Sequence, residues 1–336
     1  MDYLKNGGDF HKYDHIRSVR MYGKHAGNVR FSIVTPTYHR ADLLEKSLRS
    51  VLNQKMVTDF EIVVVDNDDQ PAVENDTLQL IRELADSRIV YYRNEKNIGI
   101  YGNTLRAARL ARGKYVILLN DDDLLHPYYL YVMNCFIHKY GFYGVMGTIP
   151  SEFTTEPVIK EIHGGISAFS ITQEGFFTGC CVTSPGFLYP KEILETIYNA
   201  HEELLMGDQI IQYKALKKYQ LILVDYPLAF YRIGVNETMR DEVAADMMFH
   251  MCKLKSQISR HHIMLWLYML LFRKNCYQQY VTSSAKFWHK EHLIPVVLHR
   301  LHCKYNGENS IKQLVAERIF SYLQYRFSKK RDVFYI

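Results

Sequence analysis

Three consecutive aspartates, Asp121, Asp122 and Asp123, follow a short, continuously apolar run at residues 115–119. Such a run makes a strand buried on both faces, and the carboxylates at its end are presented rather than hidden. Adjacent carboxylates repel one another unless a cation, or donors from a ligand, offset the charge. Oxygen-only ligation favours a hard divalent ion such as Mg²⁺ or Mn²⁺, which commonly keeps places for water and substrate phosphate. The competing reading is a solvated acidic turn in which Asp123 caps a helix starting near Pro127. Two other acids stand in similar positions. Asp66 opens the string Asp66-Asn67-Asp68-Asp69 after the apolar run 60–65, and Asp208 directly precedes an apolar helical stretch, where an ordinary N-cap would also be found.

The elements that must position these groups follow a repeating grammar. Residues 30–36 form a first strand, and a helix follows Asp42, with Leu44, Leu48, Val51 and Leu52 at helical spacing and Glu45 placed to complete a capping box. Residues 60–65 form the second strand, before a helix over residues 72–85. Residues 88–92 form the third, leading through Asn97-Ile98-Gly99 to a helix that Gly113 terminates. Residues 115–119 are the fourth. Strands alternating with helices, each with polar residues at the strand's carboxyl end, predict a parallel α/β sheet whose ligand crevice lies at those ends. Residues 144–190, rich in Gly, Thr, Ser and aromatics, read as short strands and loops forming a pocket's far wall. Two short strands at 221–224 and 228–231 follow the helix at Asp208. From residue 241 about three helices are expected, with breaks at Pro295 and Asn306-Gly307. The domain plan is an extension at 1–29, a core at 30–240 and a basic helical region at 241–336.

The 48% hydrophobic content of the 336 residues excludes a disordered chain. The start carries charge and no apolar core segment, so it reads as lacking a secretory signal. The longest apolar stretch, residues 263–272, spans about 15 Å as a helix against roughly 30 Å of bilayer hydrocarbon. Six cysteines without CxxC spacing read as reduced thiols in a cytoplasm. The net charge of +5 hides an asymmetry: residues 251–336 hold 15 Lys and Arg against 4 Asp and Glu, a balance of +11, so the remainder is acidic. A segment this basic, with Trp266, Trp288, many Tyr and the end Lys329-Lys330-Arg331, suits an anionic lipid surface, a helical subdomain with a solvated face, or a dimer contact. No nucleic-acid recognition motif accompanies the charge.

Taken in order, the motifs resemble the inverting glycosyltransferases of family 2, which have the GT-A fold: a Rossmann-like, mixed α/β sheet of the nucleotide-diphospho-sugar transferase type, here with a helical C-terminal extension. The resemblance covers residues 30–240. Pro36-Thr37-Tyr38 matches the family's first strand end, Asp66 its second, and Asn97 with Gly99 its Asn-x-Gly turn. Gly113 to Pro127 contains the acidic motif, Asp208 is the late acid at a helix head, and Tyr231-Arg232 follows the last strand.

The resemblance implies transfer of a hexosyl group from a nucleoside-diphosphate sugar, a UDP-sugar by preference, to a hydroxyl of a saccharide or lipid-linked acceptor in bacterial surface polysaccharide or glycolipid synthesis. It implies a divalent cofactor, Mn²⁺ or Mg²⁺, held by Asp122 with Asp123 as third member, and Asp121 on the ribose or sharing the metal. Pro36, Thr37, Tyr38, Arg40, Asp66 and Asn97 would line the nucleotide-sugar site. Tyr38 would lie against the base, Asp66 would accept from a uracil or thymine N3–H, and Arg40 or Arg93 would reach base or diphosphate. Asp208 would be the base that deprotonates the acceptor. A lipid-linked acceptor would place the chain in the cytoplasm at the inner face of a membrane, and the basic C-terminal helices are the surface whose charge suits contact with it.

Three positions depart from the family pattern. Asn120 stands where an Asp is common, Gly207 where an acid precedes the base, and Gly234 where a His follows Tyr-Arg; Asn236, Thr238 or Arg240 are the candidate substitutes for that His. The departures keep open a catalytically silent relative that binds nucleotide sugar or acceptor as a partner subunit. A sugar nucleotidyltransferase is disfavoured, because PTYHRADLL is not a Gly-rich phosphate loop.

Overall fold

A computed structural model describes residue 3 and residues 11–70, 74–179, 185–198, 207–235, 239–303, 311–328 and 332–336. Strand and helix alternate through β1 (Ser18–Tyr22), β2 (Phe31–Thr37), α1 (Ala41–Leu52), β3 (Phe60–Asp66), α2 (Asp76–Leu84), β4 (Ile89–Asn94), α3 (Gly99–Leu110) and β5 (Tyr115–Leu118). The chain continues through β6 (Leu124–Leu125), α4 (Tyr129–Tyr140), β7 (Gly144–Phe153), β8 (Ser167–Ser170), α5 (Gln173–Phe177), β9 (Phe187–Pro190), α6 (Leu194–Ile197), α7 (Gly207–Leu216) and β10 (Gln220–Arg232). It ends with α8 (Asp241–Ser259), α9 (Ile263–Phe287), α10 (Ile294–Arg300), α11 (Ile311–Ser328) and β11 (Val333–Tyr335).

Among the described residues the strands form one mixed sheet in the order β1-β4-β3-β2-β5-β9-β7-β10-β8-β11, with β6 paired to β10. β4, β3, β2 and β5 are parallel, so their carboxyl ends open on one side. β9 runs antiparallel to β5, and β10 parallel to β7. The continuous apolar runs have a direct cause, since alternate residues feed opposite cores. Ile33, Ile62, Val64 and Ile89 pack with α1, α2 and α4 on one face. Val34, Val63, Val65 and Val90 pack on the other face with α3, in a cluster that continues into α7, α8, α9 and α10.

Several sequence expectations move. The solvated acidic turn is overturned: Asp121, Asp122 and Asp123 are 6%, 5% and 0% exposed, and Tyr128, not Asp123, stands at the N-cap of α4. The capping box at Glu45 does not form, because α1 starts at Ala41 and Glu45 pairs with Arg49 one turn later. α2 starts only at Asp76, where Asn75 accepts from the Leu78 amide and so supplies the cap. The helix after β4 absorbs Gly99 to Asn103 and ends before Ala111. Gly113 serves a different purpose, since a Cβ there would lie 2.6 Å from the Ser32 amide of β2.

The two strands expected at 221–224 and 228–231 are one, β10, with a register shift between Val224 and Ala229. The extension at 1–29 contributes β1 as an edge strand, antiparallel to β4, and β11 adds a further edge strand on β8. Pro295 lies in the first turn of α10, so it starts a helix. Cys180, Cys181, Asn236, Thr238, Asn306-Gly307 and Lys329-Lys330-Arg331 lie outside the described residues. Among the described residues, no helix is long and apolar enough to cross a membrane.

Candidate functional site at the strand carboxyl ends

The parallel strands deliver the expected residues to one rim. β2 ends in Pro36 and Thr37, β3 in Asp66, and the loop after β5 carries Asn120 to Asp123. The Thr37 hydroxyl donates to Asp121 Oδ2 at 2.8 Å, tying the first strand end to the acidic loop. Arg40, at the N-cap of α1, places Nη1 3.3 Å from Asp122 Oδ2 and 3.5 Å from Asp121 Oδ1, while Nη2 donates to the Val235 carbonyl at 3.2 Å. One guanidinium thus serves two carboxylates and holds the segment after β10 over them.

The three aspartates differ in what their oxygens do. Asp123 accepts from the Asn120 amide at 2.8 Å and from the Arg232 backbone N–H at 3.0 Å, so both its oxygens close the loop from within. Asn120, the departure from the family pattern, supplies a donor where an aspartate would add repulsion. Arg232 Nε donates to the Asp122 carbonyl at 2.8 Å, and its guanidinium lies 4.4 Å from the Phe153 ring centroid.

Burial, then the Asp122 charge, pushes the Asp121 carboxyl up to about 6. Burial also raises Asp122 against the pull of Arg40, and raises Asp123 well above the ordinary range. Ionised carboxylates here need a compensating positive charge, and Asp121 with Asp122 suits a hard divalent cation. Asp123 already spends one acceptor direction of each oxygen on the loop itself. No group of three His, Cys, Asp or Glu side chains converges among the described residues, so the other coordination places would fall to phosphate and water.

Asp66 is turned into the fold. Its Oδ2 accepts from the Tyr91 hydroxyl at 2.9 Å and from Asn75 at 3.0 Å, and its Oδ1 from the Asp68 amide at 3.0 Å. Burial raises its pKa while these hydrogen bonds pull the other way. Asn97 accepts from the Gly99 amide at 2.9 Å and from Asn67 at 2.7 Å, fixing the turn at which Gly99 adopts φ +73°.

Tyr38 stays at the surface, 44% exposed, with its ring centroid 4.2 Å from that of His39. His39 holds φ +53°, a left-handed conformation uncommon for non-glycine residues but better tolerated by His than by most. Arg93 lies beside Asp66 in strand register.

Asp208 is the second residue of α7 rather than its cap, and burial lifts its carboxyl to about 6. It is held against α3: the Gly207 amide donates to the Tyr101 hydroxyl at 2.9 Å, and a Cβ on Gly207 would press into that ring, 2.9 Å from Cζ and from the hydroxyl oxygen. Tyr101 therefore fills the place of the acidic side chain that Gly207 lacks.

Four contributors are not singled out by sequence reasoning: Asn67, Asn103, Tyr101 and His39. Asn103, within α3, donates to the Val65 carbonyl at 2.9 Å and the Thr37 carbonyl at 3.3 Å, stitching two strand ends together. Asn67 accepts from Asn94 and from the Ile98 amide. The only available signal is the density of asparagine after the second and third strands.

Residues 32–198 match the family model of Glycosyl transferase family 2. The GalNAc(5)-diNAcBac-PP-undecaprenol beta-1,3-glucosyltransferase of Campylobacter jejuni is 35% identical over 99 residues, 29% of this chain and 30% of that protein. The chain spans about a third of the length of the curated relatives it matches. Staphylococcus aureus TarS 1–349 in complex with UDP-GlcNAc superposes with a TM-score of 0.54 at 17% identity, over 90% of this chain and 92% of that one. The mannosyltransferase PcManGT from Pyrobaculum calidifontis, in complex with GDP-Man and Mn²⁺, gives 0.52 at 13% identity, over 91% and 87%. At these identities the likeness shows the fold, and the GT-A sheet expected from the motifs is the one observed.

Proposed function

The chain belongs to glycosyl transferase family 2 through its domain at residues 32–198, and on that premise we propose that it transfers a hexosyl group from a nucleoside-diphosphate sugar to an acceptor hydroxyl with inversion. The observation that carries this reading is the pairing of two buried carboxylates, Asp121 and Asp122, with one arginine at the carboxyl ends of parallel strands. An exposed aromatic pair stands at the same strand end. That arrangement suits a diphosphate beside the acids and a base on Tyr38.

Asp122, with Asp121 beside it, would hold Mn²⁺ or Mg²⁺, whose chemistry there is Lewis-acid stabilisation of the diphosphate leaving group. Arg40, beside both carboxylates, would supply positive charge to the diphosphate at the same place. Asp208 accepts the acceptor's hydroxyl proton as its oxygen bonds to the anomeric carbon and the bond to the diphosphate oxygen breaks. A carboxyl lifted to about 6 is mostly ionised at neutral pH and more basic than an exposed one. A UDP-sugar is the favoured donor, with Asp66 bracing the base pocket from behind through Asn75 and Tyr91. The acceptor is a saccharide or lipid-linked hydroxyl of surface polysaccharide synthesis. Asn120 and Gly207 each have a local structural reason, so neither argues for a silent relative.

Thermal unfolding with UDP, GDP, dTDP and CDP, each with and without Mn²⁺, tests the reading, because a ligand bound only to the native state raises the melting temperature. One nucleotide should stabilise only with metal, and Asp122→Ala should remove the effect. No stabilisation by any pair would refute the site.

A further inference from the structure

The start of α9, residues 263–272, is apolar on every side, yet only one side is covered. Leu265, Tyr268 and Met269 are buried in the core, whereas Ile263, Trp266, Leu267, Leu270 and Leu271 are 43–66% exposed. Their spacing of i, i+3, i+4, i+7 and i+8 draws one continuous stripe along the outer face. α11 runs antiparallel beside it. Asn275 donates to Gln313 at 2.8 Å, Tyr268 meets Phe320 with centroids 5.9 Å apart, and His262 meets Phe327 at 5.5 Å. α11 adds exposed Ile311, Leu314 and Val315. A helix of this composition would ordinarily bury such a stripe, and single exposed apolar side chains need no explanation while five in register do.

The charges around the stripe decide what covers it. Arg260, Arg273, Lys274, Lys312, Arg318 and Arg326 are all exposed on the same two helices or at their ends. With residues 251–336 at a balance of +11, two copies of this chain meeting face to face would set like charges against each other. An anionic lipid surface reverses that sign, attracting the basic side chains while the apolar stripe enters the headgroup boundary. Trp266 has the amphipathic ring favoured at that depth. Since no described helix is long and apolar enough to cross a membrane, the mode is in-plane seating.

We propose that the outer face of α9, flanked by α11, docks the protein on an anionic lipid bilayer. The inference does not depend on the transferase reading, and its test uses no donor or acceptor. The full chain is sedimented with vesicles of phosphatidylcholine alone and of phosphatidylcholine mixed with phosphatidylglycerol, at low and high salt. It should pellet with the anionic vesicles, release as salt rises, and shift its tryptophan emission to the blue, with that shift lost in Trp266→Phe.

Leu267→Glu with Leu270→Glu should weaken vesicle binding by about tenfold or more. Both positions are exposed, so the thermal unfolding profile should be retained. Absence of wild-type binding to anionic vesicles would overturn the proposal, as would binding indifferent to the double substitution. A concentration-dependent dimer that the same substitutions dissociate, without vesicle binding, would instead assign the face to a second copy and equally overturn it.

Discussion

Gly207→Ala is the substitution most directly set by the geometry around the proposed base. The added methyl would press into the Tyr101 ring, 2.9 Å from Cζ and from the hydroxyl, inside any real Cβ contact. Tyr101 must then swing away, which breaks its hydrogen bond from the Gly207 amide. Overpacking of this kind costs about 1–3 kcal/mol and the lost hydrogen bond ~1 kcal/mol, so a destabilisation of about 2–4 kcal/mol is expected. The relief is equally specific. In a Tyr101→Ala background the methyl has room, and Gly207→Ala should become neutral or stabilising by up to ~1 kcal/mol, because alanine suits a helix better than glycine. Tyr101→Phe keeps the ring and the clash, and loses only the hydroxyl. Urea unfolding of the wild type, the three single variants and the Gly207→Ala double variants measures the coupling as a double-mutant cycle. Equal cost of Gly207→Ala in the wild-type and Tyr101→Ala backgrounds would refute the argument that Tyr101 dictates glycine before Asp208.

Three other outcomes follow from the same coordinates. Asp208→Asn should lower turnover by about a hundredfold or more with donor binding retained, and the wild-type rate should fall as pH drops through about 6, where the base becomes protonated; a pH-independent rate between 5 and 8, on the order of that range of interest, would exclude Asp208 as the titrating base. Asp121 has its carboxyl raised to about 6 by burial and by Asp122, so its contribution to stability is present below the ordinary carboxylate pKa and lost as pH rises through about 6. Metal-free Asp121→Asn should therefore be more stable than wild type above that pH, by an advantage that shrinks on acidification, while losing stabilisation by Mn²⁺; urea midpoints across the range measure both. His25 Nδ1 lies 2.6 Å from buried Glu61 Oε2, and its Nε2 lies 2.8 Å from the Tyr92 hydroxyl. His25→Ala removes the partner of Glu61 Oε2, while the Ser32 hydroxyl and the Arg112 amide still donate to Oε1, and should cost about 1–3 kcal/mol in urea unfolding, whereas a loss near zero would mean that the segment before β2 is not pinned to the sheet by this contact.

Which parts of this molecule were legible follows from how many constraints each residue type carries. The strands at residues 31–37, 60–66 and 115–118 are buried on both faces, so their sequence is a continuous apolar run that few other structures tolerate, and the loops at their ends inherit a known side of the sheet. β1 and β11 are edge strands with mixed burial, and their residues read equally well as polar extension. β10 bends at a register shift, where Asp225, Tyr226 and Pro227 look like a loop between two strands.

The acids illustrate the limit most sharply, because residue type fixes charge and reach but not the direction of lone pairs. Asp66 and Asp123 carry the same carboxylate as Asp121 and Asp122, yet their oxygens accept from Tyr91, Asn75, Asn120 and backbone amides inside the fold. Asp121 and Asp122 face Arg40 at the rim. The division has a physical cause: one guanidinium or one cation cannot neutralise every carboxylate in the cluster at once. The acids deepest in the fold must draw on neutral donors, and Asn120 and Asn75 are the side chains that supply them. Asn120 stands out in the sequence only as a departure from the family pattern, and Asn75 falls inside an expected helix; in the structure the two supply neutral donors to Asp123 and Asp66, while Asp121 and Asp122 share Arg40.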